Sequence, residues 1–336
     1  MKKLFGFAML ILLFASCEKE DTAITLPPPG DLQLMTARMG VNYDTMVFVS
    51  LKTGLTLSHF NRSYDLAFES SPDGWRIYLN SAQLMLAASK PVFDLAAADT
   101  TGLTWKPDDA SLHDDSLAIG KWCNDAGLNT KGVIFIDRGK PFFTGSDRFR
   151  KMMIEEVNST QYKIRFSKLN NSGLTDFIIP KNAAFSLLYF SFDNNGELKT
   201  LAPPRNDWDF VFTRYTHTYY EEPLTSPFRY YLVSGALLNK WNGSLNALVK
   251  KDSTAGYLPF EQAAYPAILN IPLSNRADAV GFDWKYFDFN SNMYYIRENQ
   301  WYLLKNFESI FYKLRFIDFY DESGNKGTAR FEYQRI

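Results

Sequence analysis

The side chains able to do chemistry are few and scattered. The chain has three histidines, His59, His113 and His217, together with nine methionines and two cysteines. Imidazole nitrogen and thioether sulfur are lone-pair donors for a transition-metal centre. His113 stands in an acidic run beside Asp114 and Asp115, and His217 lies between two threonines just after Arg214-Tyr215. His59 follows Leu57-Ser58. Met152-Met153 and Met293 fall late in the first and second halves of the chain, and strand alternation lets only one of Met152 and Met153 face inward. Met153 and Met293 are the pair placed in corresponding positions, although filling a core is what methionine ordinarily does. Cys123 beside Trp122 reads as a packing residue, not a nucleophile.

Hydrolytic chemistry finds no support. There is no His-Glu-x-x-His and no Cys/His cluster with zinc spacing. No Gly-x-Ser-x-Gly elbow is present. The paired carboxylates Asp108-Asp109 and Asp114-Asp115 belong to a polar loop between Lys106 and Ser116. Asp193-Asn194-Asn195-Gly196 is accounted for by a hairpin turn without a calcium ion. The expectation is a protein that is not an enzyme.

The elements that must position these residues are strands. Aromatics make up 16% of the chain, with 19 Tyr and 28 Phe, and aromatic rings suit a half-buried pleated surface. Tyr64-Asp65-Leu66-Ala67-Phe68-Glu69 alternates with period two, then Ser71-Pro72-Asp73-Gly74 turns the chain. Many short strands separated by Gly/Asn turns follow to the end, which predicts an all-β fold of antiparallel sheets. A short helix is expected within Gln83 to Ala98, where Ala, Leu and Met are richer.

The chain also echoes itself. Val47 to Gly54 returns as Tyr189 to Gly196, and Tyr64 to Glu69 returns around Trp208-Asp209-Phe210-Val211-Phe212. Tyr162 to Phe166 returns as Tyr312 to Phe316. The offsets are 144 residues from Tyr64 to Trp208 and 150 from Tyr162 to Tyr312. Such repeats predict two tandem β units, 41–182 and 183–336, with the seam near Asn182.

Before them lies a different kind of segment. Lys2 and Lys3 precede an apolar run from Leu4 to Phe14, closed by Ala15-Ser16-Cys17. This arrangement resembles a bacterial lipoprotein signal, residues 1–16, with lipid on the Cys17 thiol. Losing the two lysines would take the net charge from −1 to −3. Residues 17–40, with Pro27-Pro28-Pro29-Gly30, are expected to be an extended tether. Cys123 would then be the one remaining cysteine, so no disulfide within the chain is possible. The near-neutral charge offers no basic field for nucleic acid.

The order of the segments resembles the HmuY-like family of haem-capturing bacterial lipoproteins. It runs aromatic strand, Gly turn, Trp-Asp-x-x-Phe with Arg-Tyr after it, then Tyr-Lys-Leu-Arg-Phe, a polar Gly turn and Phe-Glu-Tyr. The match is carried by Tyr189 to Gly196, Trp208 to Tyr215, Met293 to Lys305 and Tyr312 to Tyr333, and more faintly by the first unit. The resemblance implies an all-β fold and haem held between two axial side chains, His in the founding type and Met in relatives. It also implies a lipid anchor in the outer membrane, exposed at the cell surface, and a ligand passed from a haem-carrying protein to an outer-membrane transporter for iron acquisition. One family His follows a Trp, and its counterpart here, Trp284-Lys285-Tyr286-Phe287-Asp288-Phe289, has none. The candidate axial ligands are therefore His113, His217, Met153 and Met293. The alternative is a surface lipoprotein that grips a glycan or a partner protein through Tyr219-Tyr220, Tyr230-Tyr231 and Tyr294-Tyr295.

Overall fold

The computed structural model describes residues 28–251 and 257–336. The expected signal 1–16, the lipidation site Cys17 and residues 17–27 of the tether lie outside the described residues. The described chain is all-β. The first half holds β1 (Gln33–Arg38), β2 (Thr45–Val49), β3 (Thr56–Phe60), β4 (Leu66–Glu69), β5 (Ile77–Leu79), β6 (Leu86–Lys90), β7 (Val133–Asp137), β8 (Phe149–Val157), β9 (Gln161–Ser167) and β10 (Thr175–Pro180). The second holds β11 (Leu187–Ser191), β12 (Glu197–Lys199), β13 (Phe210–Thr218), β14 (Tyr230–Leu238), β15 (Leu245–Lys250), β16 (Lys285–Asp288), β17 (Met293–Ile296), β18 (Gln300–Lys305), β19 (Phe311–Tyr320) and β20 (Lys326–Arg335). The helix expected within Gln83 to Ala98 is absent: a single 3-10 turn, Ser81–Gln83, precedes strand β6. Residues 87 and 88 of that strand are buried between a sheet neighbour and a covering loop, a tertiary setting that overrides helix propensity.

Four sheets stack as two sandwiches. Sheet β12-β11-β4-β5 faces sheet β10-β9-β8-β7-β6, with Leu66, Phe68, Ile136, Ile154, Phe166 and Phe190 between them. Sheet β14-β13-β2-β3 faces sheet β1-β20-β19-β18-β15 across Val47, Val49, Phe210, Phe212, Leu314 and Phe331. Alternation along the inner strands supplies a third core. Met46 and Phe48 of β2, Ala67 of β4, Tyr78 of β5, Tyr189 of β11 and Val211 of β13 point the other way, and the two four-stranded sheets meet on them.

The seam expected at Asn182 does not divide these sheets. β11, from the second unit, pairs with β4 of the first, and β2 of the first pairs with β13 of the second. One sandwich is therefore the continuous stretch 66–199. It is inserted into the other, which is assembled from 33–60 and 210–335. Each aromatic strand completes the sheet of the opposite unit. The two pairings are equivalent in form, with Val49 opposite Phe210 and Phe190 opposite Leu66. Residues 61–65 carry the chain straight from β3 into the other sandwich. The expected tether is corrected too. Gln33–Arg38 pairs along its whole length with β20, and Met35 and Ala37 are buried in the core.

The two sandwiches nonetheless use one set of joints. The Asp65 amide donates to Phe190 O at 2.8 Å, and the Asp209 amide donates to Val49 O at 2.7 Å. Asp65 Oδ2 accepts from the Phe192 amide at 2.8 Å, and Asp209 Oδ2 from the Leu51 amide at 2.7 Å. Asn80 and Asn239 each give their amide to the carbonyl of that Asp at 2.8 Å. Their Nδ2 groups reach Tyr64 O at 2.8 Å and Trp208 O at 2.9 Å. Across the central layer, Phe48 meets Trp208 edge to face at 5.1 Å, as Tyr189 meets Tyr64 at 4.8 Å. The echo of Tyr162 to Phe166 in Tyr312 to Phe316 does not follow this scheme. β9 is second from its sheet edge, whereas β19 is third.

Candidate functional site

The site grows from one joint that the two sandwiches elaborate differently. After the buried Trp122 the inserted sandwich makes a short hairpin, with Cys123 opposite Asn129 and the Thr130 amide bonded to Trp122 O at 2.8 Å. After the buried Trp284 the other sandwich makes a longer one, β16 and β17, closed by the Arg297 amide on Trp284 O at 2.9 Å. The strand beneath is reached through the tight turn 71–74 in the first case and through the long loop 219–229 in the second. The result is a small cleft of about 360 Å³ beside Trp75, Cys123 and Lys181, and a large one of about 840 Å³ between β14 and the β16–β17 hairpin. The larger volume lies in the range of small-molecule sites.

Rings wall the large cleft. Tyr219, Phe228 and Tyr231 come from the loop side, and Tyr286, Phe287 and Phe289 from the hairpin. Phe289 is 88% exposed at the hairpin tip, and Phe228 is 62% exposed across from it. The Asx turn of Asp288, which takes the amides of Asn290 and Ser291, holds the tip in shape. Tyr286 and Tyr295 stack across the hairpin at 5.8 Å, with the Arg297 guanidinium 5.2 Å from the Tyr286 ring. Glu221, Glu222, Asp283 and Lys326 supply charge around the rim.

Lys285 lies at the base. Its Nζ donates to Ser234 O at 2.5 Å and sits 4.2 Å from the Trp284 ring centre and 4.5 Å from that of Phe319. Burial pushes its pKa down to about 7, against the weaker pull of Asp283.

The expected axial ligands are dispersed. His217 on β13 is half-buried, its ring 4.8 Å from Tyr219 and 5.0 Å from Phe282, both of which line the large cleft. Burial lowers its pKa, so it is neutral at pH 7. Met293 opens β17 opposite Asp288 and is 44% exposed. His113 is far from both in the chain's polar loop, beside Asp114, which Arg76 engages at 2.6 Å, and its Nε2 is buried without a partner. Met153 rests on the outer face of β8 against the Leu95 and Phe135 cluster, while Met152 faces the core. Met153 and Met293 are not counterparts. Lys151 on β8 and Lys313 on β19 each reach carbonyls of a covering loop, Ala98 at 3.4 Å and Phe260 at 2.8 Å. Two residues on from each stand Met153 and Arg315. The structure thus sets His217 against two residues that line the large cleft, puts Met293 on the β16–β17 hairpin outside that lining, and leaves His113 and Met153 elsewhere. Among the described residues no group of three or more His, Cys, Asp or Glu could hold a metal ion.

The residues that sequence reasoning passed over are Lys285, Tyr43 and Arg297. Trp284 to Phe289 holds no histidine, and its lysine carries no signal of burial in the sequence. The signal available was the turn Asn290-Ser291-Asn292 between two aromatic runs, which marks an exposed ring-bearing hairpin.

No known family profile matches the chain, and no curated protein matches it. Solved structures similar to it include apo PinO from Porphyromonas gingivitis, with 10% identity over 91% of this chain and 97% of that one, at a TM-score of 0.26. The apo HmuY analog of Tannerella forsythia has 9% identity over 92% of this chain and 98% of its own, at 0.25. A protein assigned as HmuY-like and haem-binding from Bacteroides vulgatus has 15% identity over 41% of this chain and 78% of its own, at 0.21. Overlap this loose carries no inference about site or ligand.

Proposed function

We propose that the protein binds a ligand without transforming it, and that the ligand is haem, taken into the large cleft of the sandwich built from 33–60 and 210–335. The observation that carries this reading is the cleft itself: about 840 Å³, walled by rings from the loop 219–229 and the β16–β17 hairpin. A flat porphyrin suits ring-lined walls of that span. Of the segments that carry the HmuY-like resemblance, Trp208 to Tyr215, Met293 to Lys305 and Tyr312 to Tyr333 belong to this sandwich, and Tyr189 to Gly196 belongs to the inserted one. Of the expected axial donors, His217 lies against the lining residues Tyr219 and Phe282, and Met293 stands on the hairpin that forms one wall. Anchorage in the outer membrane through Cys17, exposure at the cell surface and delivery to an outer-membrane transporter belong to the same proposal.

The test is a haemin titration of the mature protein followed by absorbance. A sharpened, shifted Soret band that weakens in His217→Ala or Met293→Ala supports haem capture. An unchanged spectrum with oxidised and reduced haem rejects it. A second reading, glycan binding, is favoured by the exposed stack of Tyr286 and Tyr295 with Arg297 beside it. Glycan-array binding without any spectral response to haemin selects that reading.

A further inference from the structure

The base of the large cleft holds hydrogen-bond donors with too few acceptors. Lys285 is 6% exposed and as an ammonium has three N–H groups, yet its single acceptor among the described residues is Ser234 O at 2.5 Å. Its other sides face the rings of Trp284, Phe319 and Tyr294, the last at 5.8 Å. The hydroxyl of Tyr43, which lines the same cleft, is buried beside the hydroxyls of Tyr294 and Tyr320 and has no acceptor outside that tyrosine cluster among the described residues. Nε of Arg297 is buried without a partner among the described residues, while its Nη2 pairs with Asp283 at 3.2 Å. Asp283, the carboxylate acting on Lys285, is thus already engaged, and Glu222 accepts from the Ser226 hydroxyl at 2.7 Å. Buried donors in native proteins are normally satisfied, and a buried ammonium without a counter-charge is costly.

We propose that the cleft recognises an aromatic ligand through an acidic group, a carboxylate seated on Lys285 and Tyr43 while the ring system lies along the aromatic walls. The proposal rests on the reading of this cleft as the ligand site, and it deepens that reading by naming the chemistry of the ligand's polar end. Haem, with two propionates, is one such molecule. The ring faces around Lys285 offset part of the cost of the buried ammonium before the ligand arrives, since each contributes a cation–π contact. A carboxylate adds the charge-assisted hydrogen bond that the protein itself does not supply.

The test uses 2-naphthoate and its neutral isostere 2-naphthamide in calorimetric titrations of the full mature chain, with haemin run in parallel. The wild type is expected to bind naphthoate at least tenfold more tightly than naphthamide. Lys285→Met should erase that preference, and Tyr43→Phe should reduce it severalfold. Tyr43→Phe keeps the test decisive where Lys285→Met fails to fold, as judged by circular dichroism. Equal binding of the two probes by the wild type, binding of neither, or a preference that survives both substitutions overturns the acidic-group proposal. The haemin arm separates the two claims: naphthoate selectivity without a Soret response sinks haem and leaves the anion site standing. A Soret response without naphthoate selectivity does the reverse.

Discussion

Asp65 and Asp209 occupy the same joint in the two sandwiches but differ in company, and that difference should be measurable. Asp65 receives a bidentate grip from Arg138, Nε to Oδ1 at 2.7 Å and Nη2 to Oδ2 at 2.9 Å. Asp209, 5% exposed, has the Leu51 amide at 2.7 Å and no ion pair among the described residues. Burial raises its pKa from an ordinary 3.8 to about 6. The folded protein therefore binds a proton more tightly than the unfolded chain does. Its stabilising contribution is full below pH ~4 and is lost as pH rises through about 6. At ~1.4 kcal/mol per unit, the shift is worth about 3 kcal/mol between the two ends of that window. Asp209→Asn keeps an acceptor for the Leu51 amide and removes the titration. The cost of its extra amide N–H does not depend on pH, so the readout is the difference between variant and wild type. Asp108, also raised to about 6 by burial, titrates in both and cancels. Thermal unfolding at pH 4 and pH 7.5 should show the variant gaining about 3 kcal/mol on the wild type, or ~6 °C at roughly 2 °C per kcal/mol for a chain this long. Parallel pH profiles for the two proteins would refute the argument.

Three further outcomes are expected. Asp65→Asn leaves the Arg138 guanidinium, 2% exposed, without one of its partners, and should cost about 3–5 kcal/mol at pH 7 by chemical denaturation, the range for broken buried pairs. Fragment 62–204 contains every strand of its sandwich and should fold alone with a cooperative transition, whereas 183–336 lacks β1, β2 and β3 and should not; dispersed amide resonances from the second fragment would count against the interlocked topology. Phe289→Ala removes an 88% exposed ring, so stability should move by less than ~0.5 kcal/mol, while haemin affinity measured at the Soret band falls severalfold.

Much of this architecture can be read from the chain, and the gaps have physical causes. Period-two alternation at Leu66 and Phe68, or at Phe210 and Phe212, identifies strands because one sheet face is dry. The aromatic strand and the Asp-bearing strand recur because the same joint is built twice. What alternation cannot encode is the partner. Val47 and Val49 pair with Phe212 and Phe210 from the other unit and not with the Asp-bearing strand nearer in sequence. Tyr162 to Phe166 and Tyr312 to Phe316 look alike because any inward-facing strand of a Tyr/Phe-rich sheet repeats a ring at every second or fourth position, so their likeness reports burial and not position. β1 is not legible because two inward residues, Met35 and Ala37, are too few to stand out after a proline run. The cleft's rings were legible as exposed tyrosine pairs and hairpin turns. Its base was not, because Lys285 becomes a buried donor only when Phe319 and Ser234, distant in sequence, close over it.

Hydrogen–deuterium exchange of the mature protein with and without haemin bears most directly on where the ligand sits. Protection confined to 219–234 and 282–297 is the predicted result. Protection at the smaller cleft, 71–76 and 121–130, or none anywhere, would contradict the assignment.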